Sequence, residues 1–335
     1  MSEPTVSVVI PSYNEEHYID KTLENLIDQY DNDHYEIIVV DGRSTDRTRQ
    51  KIEAFAVGHP GVQVSVVDNP ARNIPTALNL GVQNAKGSII ARMDAHAAPP
   101  KNYVRRCVEV LDQDGVGAVG MPCLVKPGAN TMLAQAIASA VSHPFGIGDA
   151  KYRLTTNDRG QEAVDTVAFA CFTKELWQSL GGFNEALLAN EDYDFNYRIR
   201  QQGLKVILDR SDHSEYFART TIKELMRQYN RYGHWKAQMV KLNPYSLKLR
   251  HVIAPLFVLS VPFLGLLGFL TPVVWMVLAV ELLLYTAAAF YFGLKISSAN
   301  EGGFQTVLLM PLVFLTIHLS WGSAFLIGLL WNKRY

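Results

Sequence analysis

The charges in this chain are distributed so unevenly that one aqueous globule is a poor account of it. Of 31 Lys and Arg and 32 Asp and Glu in 335 residues, only Glu281, Lys295, Glu301, Lys333 and Arg334 follow His251. Val252 to Leu270 is a run of 19 residues without a charge, and Val273 to Leu294 a run of 22 broken only by Glu281. Each is long enough to cross about 30 Å of hydrocarbon at about 1.5 Å per helical residue. A third uncharged run, Thr306 to Trp331, carries Pro311 and His318. Three membrane segments are therefore expected, at 252–270, 273–294 and 306–331. The first two form a hairpin turning at Thr271 and Pro272, and the third either spans or is re-entrant. A soluble helical hairpin is the competing reading, but globular helices seldom lack charge on every face.

Just upstream, Ile222 to His251 holds Lys223, Arg227, Arg231, Lys236, Lys241, Lys248 and Arg250 against a single acid, Glu224. Positive charge beside the first span keeps that side cytoplasmic, which places the globular part on the cytoplasmic face of the inner (plasma) membrane. Three spans would leave Lys333 and Arg334 on the opposite side, against that rule. Apolar residues from Ile222 to Met239 recur at three- and four-residue steps, the pattern of an amphipathic helix lying at a membrane surface or packed on the globular part. The expected organisation is a globular domain over 1–220, an amphipathic interfacial region over 221–251 and a membrane domain over 252–335.

Net charge is −1 and no long basic block occurs in the first 200 residues, which argues against a nucleic-acid partner. Cys107, Cys123 and Cys171 are odd in number and widely spaced, which argues against a disulfide framework or a Cys-rich zinc site and suits a reducing cytosol.

The first 125 residues alternate β-branched runs with helical patterns. Strands are expected at 6–10, 36–40, 62–67, 88–93 and 117–121, and helices at 17–29, 45–55, 74–85 and 101–113. Such alternation builds an α/β fold, a mostly parallel twisted sheet with helices on both faces. Its ligands bind beyond the carboxyl ends of the strands. That rim holds Pro11, Tyr13 and Glu15 after the first strand, Asp41 after the second, Arg72 after the third, and Asp94 with His96 after the fourth. No GxGxxG follows the first strand and no GxxxxGK[ST] occurs, so the common phosphate cradles are missing. Asp41 and Asp94 suit hydrogen bonds from a base and a ribose. Asp94-Ala95-His96 puts two ligands on alternate positions of an extended segment, which suits a divalent metal bridging a diphosphate.

Four stretches in order carry a family resemblance: Val8 to Glu15 (VVIPSYNE), Ile37 to Asp46 (IIVVDGRSTD), Ala77 to Gly87, and Arg92-Met93-Asp94-Ala95-His96. Leu180-Gly181-Gly182-Phe183-Asn184-Glu185 followed by Asn190-Glu191-Asp192 resembles an acceptor-side motif, and Gln228 to Tyr232 resembles QxxRW. Together they resemble the family 2 glycosyltransferases of GT-A fold over about Val6 to Trp235, most of all those that build bacterial exopolysaccharide such as succinoglycan.

The resemblance implies an inverting glycosyltransferase. Its donor would be a nucleotide sugar, UDP-glucose, and its acceptor a lipid-linked saccharide on polyprenyl diphosphate, met at the membrane lipid. Pro11, Tyr13, Glu15, Asp41, Arg72 and Asp94 are the implied donor-binding residues. Asp94 and His96 are the implied ligands of Mn²⁺ or Mg²⁺. His96 stands where the family usually has a second Asp, which bears on the choice of metal. Asp192, with Glu191 beside it, is the implied base for the acceptor hydroxyl. Gln228, Arg231, Tyr232 and Trp235 are the implied acceptor and diphosphate contacts, with Tyr232 in place of the motif's Trp. The plainer readings are a helix-capping Asp41 and an acidic first helical turn at Glu191-Asp192. Alternative functions are a polyprenyl-phosphate sugar synthase and a non-catalytic nucleotide-sugar-binding scaffold.

Overall fold

A computed structural model describes residues 5–30, 34–154, 158–299 and 304–331; Glu301, Lys333 and Arg334 lie outside them. Contacts divide the chain into two units, Met1–Leu124 with Thr156–Tyr216, and Val125–Thr155 with Phe217–Tyr335. Segment 125–155 thus belongs with the C-terminal helices, although it falls inside the 1–220 span expected to be one domain.

The first unit is built on strands whose sequences leave them no exposed face. β1 (Val6–Ser12) and β2 (Tyr35–Asp41) are almost wholly buried, and their near-continuous Val and Ile runs are what a strand covered on both faces needs. β3 (Gln63–Asp68) lies at the edge. The sheet order is β3-β2-β1-β4-β8-β5-β9-β7. β1 pairs in parallel with β2 on one side and with β4 (Ile89–Arg92) on the other. The chain winds outward from β1 to β3 and then returns to the far side of β1, and this reversal opens the crevice beyond the ends of β1 and β4 where such sheets bind ligands. Helices α1 (Ile19–Asn25), α2 (Thr48–Gly58), α3 (Ile74–Asn84) and α4 (Tyr103–Leu111) follow the first four strands.

Beyond β4 the sheet departs from simple alternation. β5 (Val116–Gly120) does not pair with β4, because the three-residue β8 (Cys171–Thr173) runs antiparallel between them. β9 (Lys205–Asp209) pairs in parallel with β5 and antiparallel with β7 (Gln161–Ala163). α7 (Lys174–Ser179) and α8 (Glu191–Gln201) follow β8. The short strands β6 (Cys123–Lys126) and β10 (Ser214–Phe217) stand where the chain passes from one unit to the other.

The second unit contains α5 (Met132–Ala140), α6 (Pro144–Ile147), α9 (Ile222–Leu242), α10 (Arg250–Gly268), α11 (Val273–Ala299) and α12 (Phe304–Leu330). The last three are long and apolar enough to cross a membrane. α12 is central, with 50% of its apolar window buried against 17% for α10 and 11% for α11. The apolar stripe of α9, expected at a membrane surface, is covered by α12. A Cβ at Gly233 would overlap the Trp321 carbonyl oxygen, and one at Gly328 would lie 2.8 Å from the Ala237 Cβ. Small residues let two backbones approach this closely where lipid supplies no hydrophobic drive. Leu225 and Tyr229 enter a core shared with Ile137, Val313 and Phe314. Glu281 accepts a 2.5 Å hydrogen bond from the Ser260 hydroxyl of α10, so one of its oxygens has a protein partner, as an acid within a span requires.

Candidate active site

The rim begins with two loops tied together by side chains. After β1, Asn14 takes a left-handed φ of 55°; its N–H donates to the Ser44 hydroxyl at 2.9 Å and its Oδ1 accepts from the Thr45 N–H at 2.8 Å. Asp41 ends β2 fully buried and accepts from the Ser44 hydroxyl at 2.6 Å and the Ser44 N–H at 3.2 Å. The carboxylate therefore holds the loop between β2 and α2, and it does not cap that helix, whose N-cap position is Arg47. Half-exposed Tyr13 lies under the guanidinium of Arg72, 5.8 Å from its ring centroid, and Arg72 has a left-handed φ of 54°. Pro11 is partly buried at the end of β1.

At the end of β4, Arg92 is buried and its Nη2 lies 2.8 Å from Asp94 Oδ1. His96 meets Glu15, expected as a donor contact, with Nδ1 3.1 Å from Glu15 Oε1. A carboxylate on one ring nitrogen is the usual way to orient a histidine that ligates a metal through the other. Among the described residues no three His, Cys, Asp or Glu side chains cluster as a complete cage. Asp94 and His96 supply one oxygen and one nitrogen donor, a set that would suit a divalent cation only if the nucleotide and water supplied its other ligands.

Glu191 and Asp192 are positioned by a clamped loop. Gly182, at φ 80°, forms the turn before Phe183, and Arg198 of α8 donates to the carbonyls of Leu180 and Gly182, each at 2.8 Å. Arg198 also pairs with Asp194 one turn earlier in the same helix. Asn190, left-handed at φ 63°, leads directly into α8, which begins with Glu191 and Asp192. Glu191 is buried, and burial first and then the charge of Asp192 push its carboxyl up to about 7, against the pull of Arg92. Asp192 is more open, and its Oδ1 accepts from the Tyr193 N–H at 2.7 Å. Glu191 Oε1 lies 3.8 Å from Arg92 Nη2. One guanidinium thus stands between the acid after β4 and the acid that opens α8.

Arg92 is the site residue that sequence reasoning passed over. It lies inside the Arg92-to-His96 motif, but nothing in the spacing reveals its burial against Phe169, 5.5 Å from the ring centroid. Gln228, Arg231, Tyr232 and Trp235 all lie on α9 in the second unit. There Gln228 Nε2 donates to the Tyr232 hydroxyl at 3.1 Å, the Arg153 guanidinium lies 6.0 Å from the Tyr232 ring centroid, Trp235 is buried and Arg231 is exposed.

Residues 7–177 match the model of Glycosyl transferase family 2. The dolichyl N-acetyl-alpha-D-glucosaminyl phosphate 3-beta-D-2,3-diacetamido-2,3-dideoxy-beta-D-glucuronosyltransferase of Methanococcus voltae is 27% identical over 301 residues, 87% of this chain and 91% of that protein. Succinoglycan biosynthesis protein ExoA of Rhizobium meliloti is 27% identical over 324 residues, 95% of this chain and 93% of that one. Among solved structures, mannosyltransferase PcManGT from Pyrobaculum calidifontis, in complex with GDP-Man and Mn²⁺, matches with a TM-score of 0.63 at 22% identity, covering 100% of this chain and 89% of that one. S. aureus TarS 1–349 in complex with UDP matches with a TM-score of 0.51 at 15% identity, covering 98% and 93%. These likenesses show the GT-A fold. With its family model spanning half the sequence, the chain belongs to glycosyl transferase family 2 and is a glycosyltransferase.

Proposed function

We propose that the protein transfers glucose from UDP-glucose to a lipid-linked saccharide at a membrane, with inversion at the anomeric carbon. The observation that carries this reading is the position of Arg92, 2.8 Å from Asp94 at the end of β4 and 3.8 Å from Glu191 at the start of α8. It sets the acid after β4 and the acid that opens α8 within reach of one side chain, so that groups for the donor and for the acceptor meet at one place on the rim. Asp192 takes the proton from the acceptor hydroxyl as that oxygen bonds to the anomeric carbon and the bond to the diphosphate oxygen breaks. Asp94 and His96, the latter oriented by Glu15, hold a divalent cation, Mn²⁺ in preference to Mg²⁺ because one ligand is an imidazole. When bound, that ion offsets charge on the departing diphosphate. The three apolar helices support placement in a membrane, with the catalytic unit on the cytoplasmic side by the basic flank of α10. UDP in the TarS structure and the lipid-linked substrate in the name of the Methanococcus voltae relative support the substrate classes.

The test incubates membranes bearing the protein and lipid-linked saccharides with a panel of UDP- and GDP-sugars, reading released nucleotide and the mass of the lipid product. UDP release from UDP-glucose, with a saccharide one hexose heavier, is expected. Transfer from another donor alone overturns the sugar assignment. A product with one sugar directly on polyprenyl phosphate makes the protein a polyprenyl-phosphate sugar synthase instead.

A further inference from the structure

Arg92 is not used by the chemistry above, and its surroundings are unusual for a structural arginine. It is nine-tenths buried, its Nη2 lies nearest to both carboxylates, and its Nε is buried without a hydrogen-bond partner among the described residues. Its ion pairs are unequal, 2.8 Å to Asp94 and 3.8 Å to Glu191. Two acids therefore compete for one cation, and one of them is the proposed ligand of the donor's metal ion. Buried charges left without partners are costly. Whatever draws Asp94 towards the donor leaves Arg92 to Glu191, and whatever removes Glu191 leaves Arg92 to Asp94.

We propose that Arg92 is a positioning residue that exchanges partners as the donor arrives, giving up Asp94 to the nucleotide and its cation and closing on Glu191, so that donor occupancy braces the start of α8 where Asp192 meets the acceptor. This rests on the proposed donor role of Asp94. The exchange makes binding on the two sides interdependent, since a residue shared by two sites couples them reciprocally.

The coupling predicts a rescue. In Glu191→Gln the competitor is gone, Arg92 stays on Asp94, and the donor must displace it, so affinity falls. Removing the guanidinium as well frees Asp94 again, and the double variant keeps no unpaired buried charge from this pair. The experiment titrates full-length protein in detergent with UDP and, separately, GDP, each with Mn²⁺, by calorimetry. For whichever nucleotide binds, Glu191→Gln should weaken binding about five-fold, the lower end of usual coupling between sites. Arg92→Gln combined with Glu191→Gln should return it to within about two-fold of the unsubstituted protein, although one more native side chain has been lost. A double variant that binds more weakly than Glu191→Gln alone overturns the exchange and makes Arg92 a direct nucleotide contact or a structural pair. An unchanged affinity in Glu191→Gln overturns it equally. If neither nucleotide binds the unsubstituted protein, the donor site itself has been misread, and that failure is distinct from the other two.

Discussion

Asn79 of α3 holds the peptide groups of Phe183 from both sides: its Oδ1 accepts from the Phe183 N–H at 2.8 Å while its Nδ2 donates to the Phe183 carbonyl at 2.9 Å. The same Nδ2 reaches Glu185 Oε1 at 2.8 Å, and Thr76 holds the other oxygen of that carboxylate at 2.8 Å. A helix that follows β3 thus fixes the loop that leads to Glu191 and Asp192. Asn79→Ala leaves two backbone groups without partners. It is expected to cost about 2–6 kcal/mol, since each of the two unpaired buried groups costs about 1–3 kcal/mol. Thermal unfolding in detergent measures the loss, and Thr76→Ala, which removes only one partly exposed bond, should lose much less.

Asp192→Asn should lower turnover about 10²- to 10⁴-fold, the usual effect of losing a general base. Nucleotide affinity should change little, because Asp192 is assigned to the acceptor. Calorimetry and the membrane assay together separate the two effects, and near-normal turnover would remove Asp192 from the chemistry. An α-linked product from UDP-glucose, read by NMR, would remove inversion.

Glu191 links stability to pH. An ordinary glutamate ionises near 4.5, whereas burial, then Asp192, push this one to about 7. Between those values the folded protein keeps a proton that the unfolded chain has released. Stability should therefore fall as pH rises from about 4.5 through 7, and stay low above it. Glu191→Gln cannot ionise. Its melting temperature should exceed that of the unsubstituted protein at pH 8, and the difference should vanish near pH 5. An equal difference at both pH values would show that the Glu191 carboxyl carries no such burden.

Chelation should stop turnover, Mn²⁺ should restore it better than Mg²⁺, and His96→Asp should move the preference towards Mg²⁺. Full activity in excess EDTA would exclude a metal role for Asp94 and His96.

Gly233→Ala places a methyl group against the Trp321 carbonyl oxygen, whereas an added Cβ at Gly265 of α10 meets nothing within 4 Å. Overpacking typically costs about 1–3 kcal/mol. Gly233→Ala should therefore melt earlier than the unsubstituted protein, with Gly265→Ala close to it as the control.

How much of this was legible depended on range along the chain. β1 and β2 announced themselves because a strand buried on both faces must be an unbroken apolar run, and the rim residues followed from where those runs end. β8 did not, since Cys171-Phe172-Thr173 is too short to show any period; its place between β4 and β5 is set by pairing alone. The Glu15–His96 pair joins residues 81 apart in the chain, a distance no local pattern encodes. Arg92 was hidden for the opposite reason. It sits in plain view within a motif, but only packing reveals that its charge is enclosed. Segment 125–155 gave no sign of its association because α5 is a short Ala-rich helix whose partners lie far downstream.

The cover that α12 provides for α9 has a consequence in time. Synthesis proceeds at about 5–20 residues per second, so α9 leaves the ribosome several seconds or more before α12 does. During that interval the stripe containing Leu225, Tyr229 and Ala237 lacks the cover of α12, although α5 with Ile137 has already been made, on a helix that carries Lys223, Arg227, Arg231 and Lys241. A basic amphipathic helix in that condition is suited to rest on an anionic bilayer. The stripe that α12 covers in the finished protein is thus open to another apolar surface until α12 is made.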